Sequence, residues 1–258
     1  MHDFLDVLSQ DALNTVREGY YKDIISTEPI VASLRDAIQA KKGFSIIAEV
    51  KGASPSRGTI KRNFAPEKIA DSMVRGGAVG ISVLTEPKHF GGTLDNIAKV
   101  RQAVTVPLLM KDIVVSPIQL DAASKVGANV VLLIQSVFDK GYSEYSVSEM
   151  VAKAHSKNLE VLLETHNADE FVRAVETEAD LVGINNRNLA SLTIDLNVTK
   201  NILAKCSNKG KVVVSESGVN SADDIRFLRA SGASAFLVGS AVMLADNVEE
   251  KVRELVNA

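Results

Sequence analysis

Apolar residues along this chain gather into short runs, each ending in a polar or small residue. Eight can be read: Phe44 to Lys51, Gly80 to Glu86, Val106 to Asp112, Asn129 to Gln135, Leu159 to Glu164, Asp180 to Asn185, Lys211 to Glu216 and Ala235 to Gly239. Their ends recur on average about every 27 residues, which suits a strand plus a returning helix and is too long for a hairpin. Near-continuous Val, Ile and Leu is the pattern of strands covered on both faces, as in a parallel sheet. Between the runs lie stretches with one charged face. Residues 66–76 open on Pro66 and close on Gly76, the usual start and stop of a helix. Residues 148–157 and 221–231 read the same way, with Ser221 as a cap. Eight βα units over 44–258, preceded by a helical extension over 1–43, predict one α/β domain, a (β/α)8 TIM barrel. An open doubly wound sheet is the alternative, but Val50 is followed by Ser54-Pro55-Ser56 where such folds carry a glycine-rich dinucleotide turn.

The first run ends in an acid and a base two residues apart, Glu49 and Lys51. Strand side chains alternate, so both point to the same side. They either form a buried ion pair that fixes packing or line a polar cavity, since burying charge without partners is strongly unfavourable. The other runs favour the cavity. In a barrel of this kind the chemistry sits where strands end, and there the chain places Glu49, Lys51, Thr85, Glu86, Lys111, Asp112, Gln135, Glu164, Asn185, Glu216, Ser217, Gly239 and Ser240. Three carboxylates (Glu49, Glu164, Glu216) and two lysines (Lys51, Lys111) would share one mouth, the material of general acid and base catalysis. Around the last two runs, Ser217 with Gly218 and Gly239 with Ser240 fall in loops that, in many such barrels, hold a phosphate on backbone N–H groups.

Composition narrows the classes further. The 29 basic and 32 acidic residues give no electrostatic footprint for nucleic acid. The longest uncharged stretch, Ala230 to Ala245, is too short and too polar to span a membrane. Asp3 and Asp6 stand where a signal peptide would be basic, and the single cysteine, Cys206, forms no internal disulfide, so a cytoplasmic setting is expected. No cofactor is called for, and no metal: His2, His89, His155 and His166 have no ligand spacing and read as surface residues, with only His166 close behind a mouth residue, Glu164. From these features alone, a Schiff-base aldolase on a sugar phosphate and a non-catalytic phosphate-ligand sensor stay open.

The run Ile46 to Ser56 resembles the signature of the indole-3-glycerol phosphate synthase family. The resemblance continues through Leu84-Thr85-Glu86, Phe90-Gly91-Gly92, Lys111-Asp112, Leu163 to Asn167, Gly183 to Leu189, Ser215 to Gly218 and Gly239-Ser240. It implies closure of the indole ring of 1-(2-carboxyphenylamino)-1-deoxyribulose 5-phosphate, with loss of carbon dioxide and water. By the same resemblance Lys111 is the leading acid, Glu164 the general base and Lys51 a second acid, while Glu49, Asn185 and Glu216 hold the substrate and its lysines. Ser54 and Arg187 match the carboxylate end of the substrate, Phe90 and Leu189 the walls of its aromatic ring, and Ser217, Gly218, Gly239 and Ser240 the phosphate end. The small-molecule substrate is the partner so implied. This chain departs from the family at Gly52, where a second basic residue is common, at Ile113, where phenylalanine usually follows the Lys-Asp pair, and at Thr93 in place of serine. With Gly52 uncharged, the carboxylate should rest mainly on Arg187, with Arg57 downstream in a loop that could fold back over it.

Overall fold

The computed structural model describes residues 4–54, 58–59 and 64–258, with only the backbone described for Ser54 and Thr59; Arg57 lies outside them. Two helices, α1 (Phe4–Arg17) and α2 (Leu34–Ala40), precede the first strand, β1 (Ser45–Val50). A small hairpin, β2 (Ala53–Ser54) and β3 (Gly58–Thr59), follows it. The chain then alternates α3 (Pro66–Arg75), β4 (Gly80–Leu84), α4 (Leu94–Ala103), β5 (Leu108–Lys111), α5 (Pro117–Lys125) and β6 (Val130–Ile134). After α6 (Gln135–Asp139) and α7 (Val147–His155) come β7 (Glu160–Thr165), α8 (Ala168–Val175), β8 (Leu181–Asn185), α9 (Asn197–Leu203), β9 (Val212–Glu216) and α10 (Ala222–Ala230). The chain ends with β10 (Ala235–Val238), α11 (Ser240–Met243) and α12 (Val248–Val256).

Strands β1 and β4 to β10 close into a parallel barrel in which β10 pairs back onto β1. The expected (β/α)8 architecture is therefore observed, and the eight apolar runs are its eight strands. Alternation along each strand splits the core in two. Ile46, Ala48 and Val50 face the helices, whereas Ile47, Leu109, Leu132, Leu162, Leu181 and Val214 fill the barrel interior, all of them buried. The predicted helices begin and end within a residue or two of their expected limits, α3 with Pro66 in its first turn and α10 capped by Ser221.

The extension closes both ends of the barrel. Helix α2 covers the end where strands begin: Leu34 and Ile38 join the interior core, and Glu160 at the start of β7 accepts the Leu34 N–H at 2.7 Å. Helix α1 covers the opposite end. Its apolar side, Leu5, Leu8 and Ala12, is buried there, and its polar side is tied down by Asp6 to Lys140 (2.7 Å) and Asp11 to His89 (2.7 Å).

Candidate active site

The strand ends under α1 surround a cavity of about 1190 Å³ counted out to its open mouth. At its floor Lys111 Nζ stands 3.0 Å from Glu216 Oε2, 3.6 Å from Glu164 Oε2 and 3.9 Å from Glu49 Oε2. Lys51 Nζ pairs with Glu49 Oε1 at 2.8 Å. The sheet register explains the convergence. Glu164 lies beside Gly183 and Ile134, Asn185 beside Glu216, and Glu49 beside Ser82, so inward residues of neighbouring strands fall in one layer.

Burial alone would neutralise these groups, and their mutual charge prevents it. For Lys111, burial lowers the pKa, but Glu216, Glu164 and Glu49 together hold it well above the ordinary lysine value, so it is firmly cationic. For Glu49 the effect of burial is again outweighed, here by Lys51 and Lys111, and the carboxyl lies below its usual range. Burial of Glu164 is overcome by Lys111 and then His166, so it is held down further. Glu216 goes the other way: burial raises it and the neighbouring Glu164 adds to this, more than Lys111 compensates. The glutamates that share Lys111 thus differ in proton affinity because their surroundings differ.

Two glycines make room for the cluster. A Cβ on Gly183 would sit 2.2 Å from Glu216 Oε1, and one on Gly239 would sit 2.4 Å from Glu49 Oε1 and 2.6 Å from Lys51 Nζ. Gly239 therefore does more than approach a phosphate loop; it gives the Glu49–Lys51 pair its space. The loop after β9 adopts left-handed backbone at both Ser217 (φ 65°) and Gly218 (φ 91°). The buried Asn186 amide pins this loop by donating to the carbonyls of Glu216 and Ser217, each at 3.0 Å. Asn185 accepts the Arg187 N–H at 3.0 Å through its side-chain oxygen, and it also bonds Glu164. Arg187 lines the cavity and donates to the Leu192 carbonyl at 3.3 Å, so its guanidinium reaches the site from a loop that it also braces. Ser217, Gly218, Gly239, Ser240, Phe90 and Leu189 line the cavity as well, and Ser54 lies on β2, paired with Gly58.

Several strand-end residues do something other than expected. Gln135 opens α6 and donates to Asp139 at 2.9 Å. Thr85 donates to Asp112 at 2.6 Å, and Tyr21 to the same carboxylate oxygen at 3.0 Å. This network ties the extension to the residue after Lys111. Burial lifts the Asp112 carboxyl to about 6 despite those hydrogen bonds. Glu86 turns back to accept the N–H groups of Lys88, His89 and Phe90, which shapes the loop that carries Phe90. His166 is not a surface residue: only 12% of its side chain is accessible, and it contacts Glu164. His89 is half-buried against Asp11 and Phe4. The chemistry-first reading also missed the wall formed by Phe4, Leu5 and Leu8, although their spacing marks one apolar helix face. Among the described residues no group of three or more His, Cys, Asp or Glu is arranged to hold a metal, and no helix is long and apolar enough to cross a membrane.

Comparison with known proteins agrees with this geometry. The family model described as indole-3-glycerol phosphate synthase matches residues 10–255. Proteins of that name from Methanocaldococcus jannaschii and Sulfurimonas denitrificans are 42% and 38% identical, each over 82% of this chain and over 77% and 79% of their own lengths. One from Petrotoga mobilis is 36% identical over 94% of this chain and 96% of its own. Among solved structures, an N-acetylmannosamine-6-phosphate 2-epimerase from Clostridium perfringens superposes with a TM-score of 0.61 at 15% identity, covering 84% of this chain and 93% of that one. A thiamine phosphate pyrophosphorylase from Pyrococcus furiosus gives 0.60 at 19% identity, covering 86% and 96%. These two show the shared barrel alone.

Proposed function

The chain belongs to the indole-3-glycerol phosphate synthase family, and from that membership we propose which of its side chains carry each part of the reaction. The reaction is that of the family, a carboxy-lyase step of tryptophan biosynthesis that closes the indole ring. The assignment rests on one observation, the Lys111 ammonium held within 4 Å of three glutamates at the cavity floor. Lys111 is too strongly cationic to give up its proton in the free site, so its first task is electrostatic. It faces the ketone oxygen of the substrate, stabilises the negative charge that grows there as the aromatic carbon attacks, and passes a proton to the resulting alkoxide, which is more basic than the amine, to give the hydroxyl. Once that oxygen accepts the lysine's hydrogen bond, Glu164 loses part of the cation that holds its carboxyl down. Its proton affinity then rises at the stage where dehydration needs a base.

Lys51, steered by Glu49, is the second acid, placed to protonate the departing hydroxyl. Asn185 and Glu216 orient Glu164 and Lys111. Carbon dioxide leaves from the ring carbon that has formed the new bond, and the electron pair of the broken bond neutralises the adjacent iminium. The substrate's aromatic ring fits against Phe90 and Leu189 with the extension's Phe4, Leu5 and Leu8. Ser54 and Arg187 take its carboxylate, and Ser217, Gly218, Gly239 and Ser240 its phosphate, on the backbone N–H groups of the left-handed loop after β9 and of the loop after β10. The balanced charge and single cysteine support a cytoplasmic enzyme with no nucleic-acid partner. Lys111→Met and Glu164→Gln should each lower turnover at least about a hundredfold with an unchanged circular dichroism spectrum. The assay is indole fluorescence on mixing with the carboxyphenylamino sugar phosphate; near-normal turnover in either variant removes that residue from the scheme.

A further inference from the structure

His166 stands beside the base with no task in that scheme. It follows Glu164 by two residues, one position past the end of β7, and its ring lies on the same side as the Glu164 carboxylate. Its Nε2 lies 3.2 Å from Glu164 Oε1, and its Nδ1 lies 3.5 Å from Glu170 Oε2. The other oxygen of Glu164, Oε2, faces Lys111 at 3.6 Å. Each oxygen of the base therefore faces a different cationic partner, one of which is due to turn toward the substrate while the other stays. Neither ring contact has the alignment of a hydrogen bond; both are ion-pair contacts.

Glu170 is the anchor of the arrangement. Its Oε2 accepts the backbone N–H of His166 at 2.8 Å, and its Oε1 accepts from Ser136 Oγ at 3.0 Å and Asn167 Nδ2 at 2.6 Å. Its own N–H is capped by the Asn167 side chain at 2.9 Å, in the first turn of α8. A carboxylate fixed this firmly at a helix N-terminus can hold a buried cation in place.

We propose that His166 is the positioning residue for Glu164, a cationic clamp that joins the base at the end of β7 to Glu170 on α8 and sets how readily that base takes a proton. The inference rests on Glu164 being the base. Burial alone would favour the neutral ring, but Glu164 and Glu170 outweigh it and push the imidazole up to about 9. The charged groups that bear on the pair are Glu164 from β7, Glu170 from α8, Lys111 from β5, Glu216 from β9 and Glu49 from β1. When Lys111 turns to the substrate, His166 remains as the counter-charge of Glu164. It keeps the carboxylate ionised and aimed without competing for the reacting atom, which it does not touch.

The sign of the effect follows. Without the imidazolium the ionised form of Glu164 is less favoured, so its carboxyl moves up by about one to three pH units, the usual influence of one close opposite charge. His166→Gln should then shift the acid limb of the kcat–pH profile upward by at least about one unit and, because the carboxylate loses its aim, lower kcat about tenfold at neutral pH. The alkaline change that accompanies loss of the imidazolium near pH 9 should vanish. A second readout needs no turnover. In the full-length protein with carbon-13-labelled histidine, the ring resonance that disappears in His166→Gln should titrate near pH 9 in the parent, and at least one unit lower in Glu170→Gln, which keeps the ring and removes its anchor's charge. If His166→Gln does not fold, Glu170→Gln carries the kinetic test as well. A ring titrating at or below the ordinary histidine value near 6.5, or a variant profile superposed on the parent's, overturns the proposal. Glu164→Gln separates the two readings: if it is inactive while the His166→Gln profile is unchanged, only the positioning role falls, and if it is active, the base assignment falls and this role with it.

Discussion

Replacing Gly183 by alanine tests whether the carboxylate layer works by close placement. Gly183 lies on β8 between Glu164 and Glu216, and its backbone is not left-handed, so alanine is free of backbone strain there. A glycine-to-alanine change at such a position ordinarily stabilises a protein by about 0.4–1 kcal/mol through the unfolded chain. Here the added methyl would meet Glu216 Oε1 at 2.2 Å, whereas ordinary contact begins near 3.4 Å, so the carboxylate must retreat by about 1.2 Å. Glu216 is completely buried, and a retreat of that size would disturb its 3.0 Å contact with Lys111. Overpacking of this kind costs about 1–3 kcal/mol. A misplacement of about 1 Å costs about a hundredfold in rate. The expected outcome is a fall in kcat of about two orders of magnitude at saturating substrate, followed by indole fluorescence, with a smaller change in KM. The urea midpoint should also fall, and adding Glu216→Ala should restore part of it by removing the colliding oxygen. A Gly183→Ala enzyme that is more stable than the parent and keeps kcat within about threefold would show that Glu216 tolerates displacement and that its distance from Lys111 is not critical.

Two further outcomes are expected. Arg187→Ala should raise KM about tenfold, about 1.4 kcal/mol, with little change in kcat, as fits a guanidinium that binds the substrate's carboxylate throughout the reaction; an unchanged KM in steady-state assays would place that carboxylate elsewhere. Asp112→Asn should change how stability depends on pH. Because the folded carboxyl ionises near 6 instead of 3.8, the unfolded chain releases its proton first, so the group's contribution turns unfavourable between pH about 4 and 6 and is constant above. Urea midpoints at pH 4 and 7 should therefore differ between parent and variant by up to about 3 kcal/mol in favour of asparagine at the higher pH, and an equal difference at both would refute the raised value.

What the chain disclosed in advance depended on how local the controlling physics is. The barrel was readable because a parallel strand covered on both faces must be apolar at nearly every position, which marks each strand within five or six residues. The mouth was readable because strand ends and side-chain alternation together place Glu49, Lys51, Lys111, Glu164 and Glu216 without knowledge of any partner. Gln135 fails the same test for a physical reason. Alternation holds only while the strand lasts, and β6 ends at Ile134, so Gln135 follows helical geometry from its first atom. The Tyr21–Asp112 bond joins residues 91 apart, and no periodicity announces such a contact. His166 is the instructive case: like Lys51 after β1 it stands one residue past its strand, and because α8 starts only at Ala168 the chain has not yet turned helical there, so it still reaches the side of Glu164. What that position could not supply was Glu170. That carboxylate is set by the capping geometry of the next helix, and without it a buried imidazole beside Glu164 would hold its proton less firmly and give the base a weaker counter-charge once Lys111 has turned away. An acid at the strand end and a second one in the first turn of the next helix thus together hold the histidine between them cationic, and a chain with histidine at this position but no acid in that first turn should hold its base more loosely.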